Sequence, residues 1–305
     1  MARWTLAHIP DQSGRTALIT GANSGLGLET ARALASKGAH VILGCRNVKK
    51  GQVAIDDIGT TCPGAKLSLQ LVDVSSLASV AEAAASVKEQ HSALDLLINN
   101  AGIMATPRGD TVDGFEQQFA TNHLGHFALT GHFLPLLSAA PAARVVHVSS
   151  IAARQGQMRF DDLMHRKGYR PFKVYAQSKL CNQLFAYELQ RRLAAADSSV
   201  VSIAAHPGFA QTNLLSGVWA AGPIAPLVRP FIPLFWNDAV KGALPQLFAA
   251  TSMEAEPGGY YGPGGLGEMA GYPKPARPPR AALDESAAKQ LWEVSAELSG
   301  VRYLM

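Results

Sequence analysis

Thr16-Ala-Leu-Ile-Thr20-Gly-Ala-Asn-Ser24-Gly-Leu-Gly27 decides the fold of this chain. A short apolar run, Thr16–Thr20, ends in a glycine-rich turn. A helical pattern follows from about Leu26 to Lys37, with Gly38 as its stop. Strand, turn and helix in that order aim backbone N–H groups and the positive end of a helix dipole at one point, which suits a phosphate. Glycine is needed there because a side chain would hold the phosphate off the backbone. The spacing is Gly-x-x-x-Gly-x-Gly, not the commoner Gly-x-Gly-x-x-Gly.

Working outward, short apolar runs at Thr16–Thr20, His40–Gly44, Leu67–Val72, Leu94–Asn99, Arg144–Val148 and Val200–His206 read as strands. Helical runs lie between them at Val48–Ile58, Leu77–Gln90, Gly114–Leu137 and Tyr175–Ala196. This alternation predicts an α/β chain, a Rossmann-like doubly wound parallel sheet in a three-layer α/β/α arrangement. No repeat or linker divides it, so residues 1–305 are expected to form a single domain. Chemistry-bearing residues collect at the carboxyl ends of the strands: the glycine turn, Arg46, Asp73, Asn99, Ser150 and Pro207 follow the first to the sixth in turn. Open α/β sheets bind ligands at that edge.

A second stretch carries the chemistry. Tyr175-Ala-Gln-Ser-Lys179 puts a phenol and an ammonium at i and i+4, on one helix face. A nearby ammonium favours the phenolate, so Lys179 is expected to lower the Tyr175 pKa and make it a usable general acid and base.

In order, Thr20 to Gly27, Asp73-Val74, Asn99-Asn-Ala-Gly102, Asn122, Ser149-Ser150, Tyr175 to Lys179 and Pro207-Gly208 resemble the motifs of the short-chain dehydrogenase/reductase family along nearly the whole chain. Cys45-Arg46-Asn47, Asn122-His-Leu-Gly-His-Phe127, the long gap between Ser150 and Tyr175, and Ser178-Lys-Leu-Cys-Asn182 look most like its retinol dehydrogenase-related branch. The resemblance implies hydride transfer between a nicotinamide dinucleotide and a carbonyl or alcohol carbon. It implies a catalytic set of Asn122, Ser150, Tyr175 and Lys179. Tyr175 would exchange the proton at the substrate oxygen. Lys179 would tune it and bind the nicotinamide ribose. Ser150 would orient the substrate oxygen, and Asn122 would hold a water that links Lys179 to solvent. Taken singly, Ser150 also reads as a strand-end hydroxyl bonding its own backbone, and Asn122 as a cap or kink. The implied cofactor-binding set is Gly21, Asn23, Ser24, Gly25, Leu26, Gly27, Arg46, Asp73, Val74, Asn99, Ala101, Gly102, Tyr175, Lys179, Pro207, Gly208 and Thr212.

Cofactor choice turns on the end of the second strand. NAD-binding folds usually place a carboxylate there for the ribose 2′-hydroxyl. This chain has Cys45 followed by Arg46, which can fork onto a 2′-phosphate. NADP is therefore expected ahead of NAD. Asn23 and Ser24 can add phosphate hydrogen bonds, although the basic residue that the family often carries in that turn is absent.

Composition narrows the function further. The 305 residues carry a net charge of +4 with 16% charged side chains, and no basic block suggests nucleic acid. Lys49-Lys50 and Arg191-Arg192 read as solvated helix faces. Cys45, Cys62 and Cys181 lack metal-ligand spacing, and the nine histidines include no His-Glu-x-x-His pair, so no metal is expected. His123 and His126 read as packing or bonding locally. A hydrolase triad around Ser150 would need a Gly-x-Ser-x-Gly elbow, which is missing. Met1 to Asp11 has no apolar core of signal-peptide length, and no run reaches about 18 apolar residues. A cytoplasmic location with no transmembrane segment is expected.

Ile151 to Val174 is expected to loop over the site. The segment 209–237 reads as a lid; within it Leu214–Trp236 is apolar and broken by four prolines. A lid of that kind suits a small hydrophobic alcohol, aldehyde or ketone; the same stretch also fits a membrane or partner surface. Gly258–Pro263 reads as a last strand, Pro273–Pro279 as an extended connector, and 284–299 as a tail helix capped by Asp284 and stopped by Gly300. A homo-oligomer is compatible with this reading. Two competitors stand beside the alcohol/carbonyl oxidoreductase. One is a non-catalytic NADP-binding sensor, which would need no proton donor; the other is C=C reduction on the same scaffold.

Overall fold

The computed structural model describes residues 3–209 and 237–305, so Thr212 and the Leu214–Trp236 stretch lie outside the described residues. The first six strands are β1 (Thr16–Thr20), β2 (His40–Cys45), β3 (Leu67–Leu71), β4 (Leu96–Asn99), β5 (Arg144–Val148) and β6 (Val201–Ala205). They are joined by α1 (Gly25–Ala35), α2 (Val48–Thr61), α3 (Leu77–Gln90), α4 (Gly125–Ala139) and α5 (Pro171–Ala195). Then come α6 (Ala239–Thr251), β7 (Tyr260–Pro263), β8 (Pro273–Pro275) and α7 (Glu285–Ser299). Among the described residues one sheet has the order β3-β2-β1-β4-β5-β6-β7-β8. It is parallel from β3 to β7, and β8 is antiparallel to β7. The wholly parallel sheet and the unpaired Pro273–Pro279 connector are thus corrected at one edge. Proline is tolerated there because an edge strand can leave one side without donors.

The sheet has a core on each face. On one, Leu34 of α1, Ile58 of α2 and Leu247 of α6 pack with Ile19, Leu43 and Ile98. On the other, Val80 of α3, Phe127 of α4, Leu189 of α5 and Trp292 of α7 pack with Leu18, Leu97 and Val145. These are the three layers. Strand order reverses between β1 and β4, because β1 pairs with β2 on one side and with β4 on the other. The crossovers then leave a crevice at the carboxyl ends of β1 and β4. No described helix is long and apolar enough to cross a membrane.

One helix departs from its sequence pattern. The run expected over Gly114–Leu137 starts at Gln117 and passes through a π-helical turn, Ala120–Leu124, before α4 begins. The tail helix matches its signals: Asp284 Oδ1 accepts from the N–H groups of Ser286 and Ala287 at 3.0 Å, and Gly300 takes the left-handed φ of 69° that ends it.

Candidate active site

A cavity of about 630 Å³ opens in that crevice. Gly21, Asn23, Ser24, Gly25, Leu26 and Gly27 form one wall. Gly21 and Gly25 have φ of 67° and 54°, the left-handed region that glycine enters without strain. A Cβ on Gly27 would lie 2.6 Å from Asn100 Nδ2 and collide with the Gly21 carbonyl, so only glycine lets α1 start this close to the turn. Asp73, Val74, Ala101 and Gly102 complete the predicted wall. Asp73 Oδ1 is held by the Ser75 N–H at 2.9 Å and the Ser75 hydroxyl at 2.6 Å.

Arg46 lies at one end of the cavity, and Lys50 lines the same end. Lys50 is exposed, as a solvated helix face requires, and borders the cavity as well. Asn47 Oδ1 accepts from the Lys50 N–H at 2.9 Å, which caps α2 and brings Lys50 one turn beyond Arg46. The sequence carried that signal in an Asn cap followed by lysine. Burial pushes the Cys45 thiol up to about 11, so β2 ends without an anion. Sequence reasoning also passed over Asn100, Ile103 and Thr121, which line the cavity.

Asn99 is corrected by its side-chain direction. Its Nδ2 donates to Thr130 Oγ1 at 3.0 Å and lies 3.4 Å from His147 Nδ1, inside the core. Successive residues at a strand end point to opposite faces, so Asn100 reaches the cavity instead. Pro207 and Gly208 are also not among its lining residues. Pro207 offers its carbonyl to Asn237 Nδ2 at 3.3 Å, and Gly208 turns beside the Met269 carbonyl with φ of 70°.

None of the four predicted catalytic residues lines this cavity, so Tyr175 and Lys179 are not among its cofactor-binding walls; Asn122 and Lys179 come against it at Gly102. Asn122 sits in the π-turn, and its Oδ1 accepts from the Ile103 N–H at 2.8 Å. Its Nδ2 donates to the Ile103 carbonyl at 2.9 Å and to Ser178 Oγ at 2.8 Å. The Asn122 side chain is thus fully engaged by protein partners. Lys179 Nζ donates to the Val148 carbonyl at 3.0 Å and lies 6.0 Å from the centre of the Tyr175 ring. A Cβ on Gly102 would stand 3.2 Å from that ammonium and 3.1 Å from Asn122 Oδ1, so the cavity wall and the catalytic group meet at Gly102. Ser150 Oγ accepts from the Ala152 N–H at 3.2 Å and caps the short turn Ile151–Gln155.

The expected lowering of the Tyr175 pKa is reversed. Burial raises it, and interaction with the Ser150 side chain draws it partly down. The physical reason is burial of the phenol itself; the Lys179 ammonium, 6.0 Å from the ring centre and bonded to the Val148 carbonyl, does not offset it. Around Tyr175 the surface is apolar: it packs with Ala152, Ala176 and Met104, and Phe172 lies 6.2 Å away, ring to ring, and half exposed. The histidines pack and bond locally as expected, His123 against Phe119 and Phe127 and His126 Nδ1 with the Asn122 carbonyl at 3.1 Å, and each also bonds over long range. His123 Nε2 reaches Ser295 Oγ of α7 at 2.8 Å, and His126 Nε2 reaches Thr20 Oγ1 at 2.9 Å.

With this geometry in place, comparison with known proteins is informative. The short chain dehydrogenase family model matches residues 15–221. Human Retinol dehydrogenase 13 is 38% identical over 292 residues, covering 94% of this chain and 85% of that one. Retinol dehydrogenase 12 of Bos taurus is 37% identical over 292 residues, covering 95% and 88%. A crystal structure of an uncharacterized protein from Mycobacterium Paratuberculosis superposes with a TM-score of 0.81 at 40% identity, covering 99% of both chains.

Proposed function

The chain belongs to the short-chain dehydrogenase/reductase family, in its retinol dehydrogenase-like branch, and from that premise we propose an NADP-dependent enzyme that interconverts a hydrophobic alcohol and its aldehyde or ketone. The coarser activity, alcohol/carbonyl oxidoreduction with a nicotinamide dinucleotide, goes with the family. The single observation behind the finer reading is the arrangement of the crevice. Two cations, Arg46 and Lys50, line a glycine-walled cavity, and Lys179, 6.0 Å from the ring of a buried phenol among apolar side chains, stands against its wall at Gly102.

The residues fit such a cofactor. The glycine turn and the start of α1 would hold the pyrophosphate. Arg46 and Lys50 would bind a 2′-phosphate, with no carboxylate at Cys45 to repel it. When bound, the dinucleotide supplies or takes the hydride. This chain's residues do the rest. Tyr175 gives or takes the proton at the substrate oxygen. Ser150 orients that oxygen and shares its charge. Lys179, against Gly102 and 6.0 Å from the ring of Tyr175, holds positive charge near the phenol and would bind the nicotinamide ribose. Asn122 acts by fixing Ile103, hence the wall at Gly102. Met104 and Phe172 would exclude water and favour an apolar substrate. Asn99 is dropped as a side-chain ligand; Pro207 and Gly208 remain backbone candidates. The whole chain is read as a single domain, and the segment 209–237 as a cover for the apolar substrate.

Initial rates with retinal, nonanal and a sugar aldehyde, each with NADPH and NADH, test this reading. A preference for NADPH of at least about ten-fold is expected, the scale of one charge-assisted contact, with the apolar aldehydes ahead. Better rates with NADH overturn the cofactor assignment. Tight NADPH binding with no turnover on any carbonyl moves the protein to a sensor.

A further inference from the structure

His126 is a buried imidazole, 2% exposed, that the reaction as described does not use. We propose that it is a positioning residue: in its Nδ1–H form it ties the Thr20 hydroxyl to the Asn122 main-chain carbonyl, and so sets the Asn100–Ile103 wall of the cavity against Lys179. The inference rests on the reading of that cavity as the dinucleotide site.

The wall segment is held at both ends. At its start, the N–H groups of Asn100 and Ala101 both donate to Thr20 Oγ1 at 2.9 Å. At its end, Ile103 exchanges both backbone groups with the Asn122 amide, at 2.8 and 2.9 Å. Gly102 lies between, against Lys179 Nζ. His126 is the only link needed to close the ring. Its Nε2 is 2.9 Å from Thr20 Oγ1, and its Nδ1 is 3.1 Å from the Asn122 carbonyl oxygen.

Valence fixes the tautomer from both sides. A hydroxyl has one hydrogen and two lone pairs. The two N–H donors fill the lone pairs of Thr20 Oγ1, so its contact with His126 can use only the hydroxyl hydrogen; the Ile98 carbonyl also lies within 3.4 Å of Oγ1, but the shorter contact, 2.9 Å, is to Nε2. Nε2 is then an acceptor. A carbonyl can only accept, so Nδ1 must carry the ring hydrogen. The two deductions agree on one neutral form. Burial lowers the His126 pKa to about 4, with Lys179 acting in the same direction, so this form persists across the working range. Protonation would put a hydrogen on Nε2, facing an oxygen already filled.

What the bridge does follows from its place. If it is cut, the wall is held only by its two separate ends, and Gly102 is free to move off the ammonium. Water then reaches Nζ, and the pKa of Lys179 rises towards that of an ordinary lysine. Affinity for the dinucleotide falls along with it, because Ala101, Gly102 and Ile103 are cavity wall.

The first measurement uses the unaltered protein and needs no turnover: long-range nitrogen–proton NMR of the histidine rings. His126 is expected as the neutral Nδ1–H tautomer, unchanged between about pH 5.5 and 8. An Nε2–H tautomer, or titration in that range, overturns the bridge. The second compares His126→Phe with His126→Asn, whose amide can again donate to the Asn122 carbonyl. His126→Phe is expected to raise the NADPH Kd about ten-fold and to move the Lys179 break in the rate profile upward. His126→Asn should restore part of both. Loss of thermal stability in His126→Phe, with Kd and the profile unmoved, would show a packing residue only and overturn the proposal. A chain that binds no NADPH would instead sink the cofactor reading and leave the tautomer to decide the bridge.

Discussion

At the scale of single residues, the proton route can be tested at one atom. Tyr175→Phe keeps the ring packed with Ala152 and Met104 but removes the acid. It should lower kcat by about 10²–10⁴, the scale of a lost general acid or base, while NADPH still binds. Near-normal turnover would place the proton donor elsewhere. Arg46→Ala and Lys50→Ala should each weaken NADPH by about 1.5–3 kcal/mol and leave NADH nearly unchanged; a parallel loss for both cofactors would take these cations out of 2′-phosphate binding. Lys179 gives a prediction with opposite signs for stability and activity. Its folded pKa is about 8 against 10.5 for an ordinary lysine. Below pH 8 the fold carries the full cost of a buried ammonium. Between pH 8 and 10.5 the unfolded chain binds the extra proton, so the cost fades as pH rises. Lys179→Met should therefore raise stability at pH 7 by on the order of 1–3 kcal/mol, with the gain shrinking towards pH 10, and should lower turnover even at saturating NADP. Thermal melts at the two pH values decide; a variant that melts lower at pH 7 shows that burial does not penalise the ammonium.

At the scale of elements, the π-turn Ala120–Leu124 and the entry into α4 place the site. Gly125 opens α4 directly against the Val74 carbonyl, at a spot where any Cβ would overlap the oxygen. Val74 itself lines the cavity. Gly125→Ala must push α4 or the Val74 segment aside, a strain of about 1–3 kcal/mol, and should weaken NADPH binding as well as stability. Unchanged NADPH affinity would show that the strain is absorbed away from the cavity. The strands and most helices were legible because their causes are local: apolar runs, glycine stops and the Asp284 cap. The π-turn was not legible, because its cause is distant. Asn122 is engaged by Ile103 and Ser178, 19 and 56 positions away. Lys50 was visible as a residue but not as a site, since only the capped start of α2 turns it into the same cavity as Arg46. β8 was hidden by its prolines, which advertise a connector and say nothing of a neighbouring edge.

At the scale of the whole molecule, a core that contains neutral imidazoles makes the fold sensitive to acid. His123, His126 and His147 lie fully inside, and burial lowers their pKa values to about 3, 4 and 3. An ordinary histidine titrates near 6.5. As pH falls below that value the unfolded chain takes up three protons that the folded chain refuses, so stability is lost from about pH 6.5 downward until the folded values are reached. Each proton contributes about 1.4 kcal/mol per pH unit, about 4 for the three together. By pH 5 that amounts to roughly 6 kcal/mol, comparable with the 5–15 kcal/mol that holds a typical protein together. Glu116, raised by burial, works the other way but supplies only one proton. Chemical denaturation followed by circular dichroism should thus show stability falling steeply between pH 6.5 and 5, above the range where ordinary carboxylates titrate. His147→Leu removes one of the three titrations at a ring whose Nε2 has no partner among the described residues. In that variant the slope should drop, by less than a third because His40, His132, His165 and His206 are lowered by burial too and add to it, whatever the variant's stability at pH 7. A flat stability profile from pH 7 to 5 would mean that these imidazoles accept protons within the fold, and the neutral core inferred around His126 would go with it.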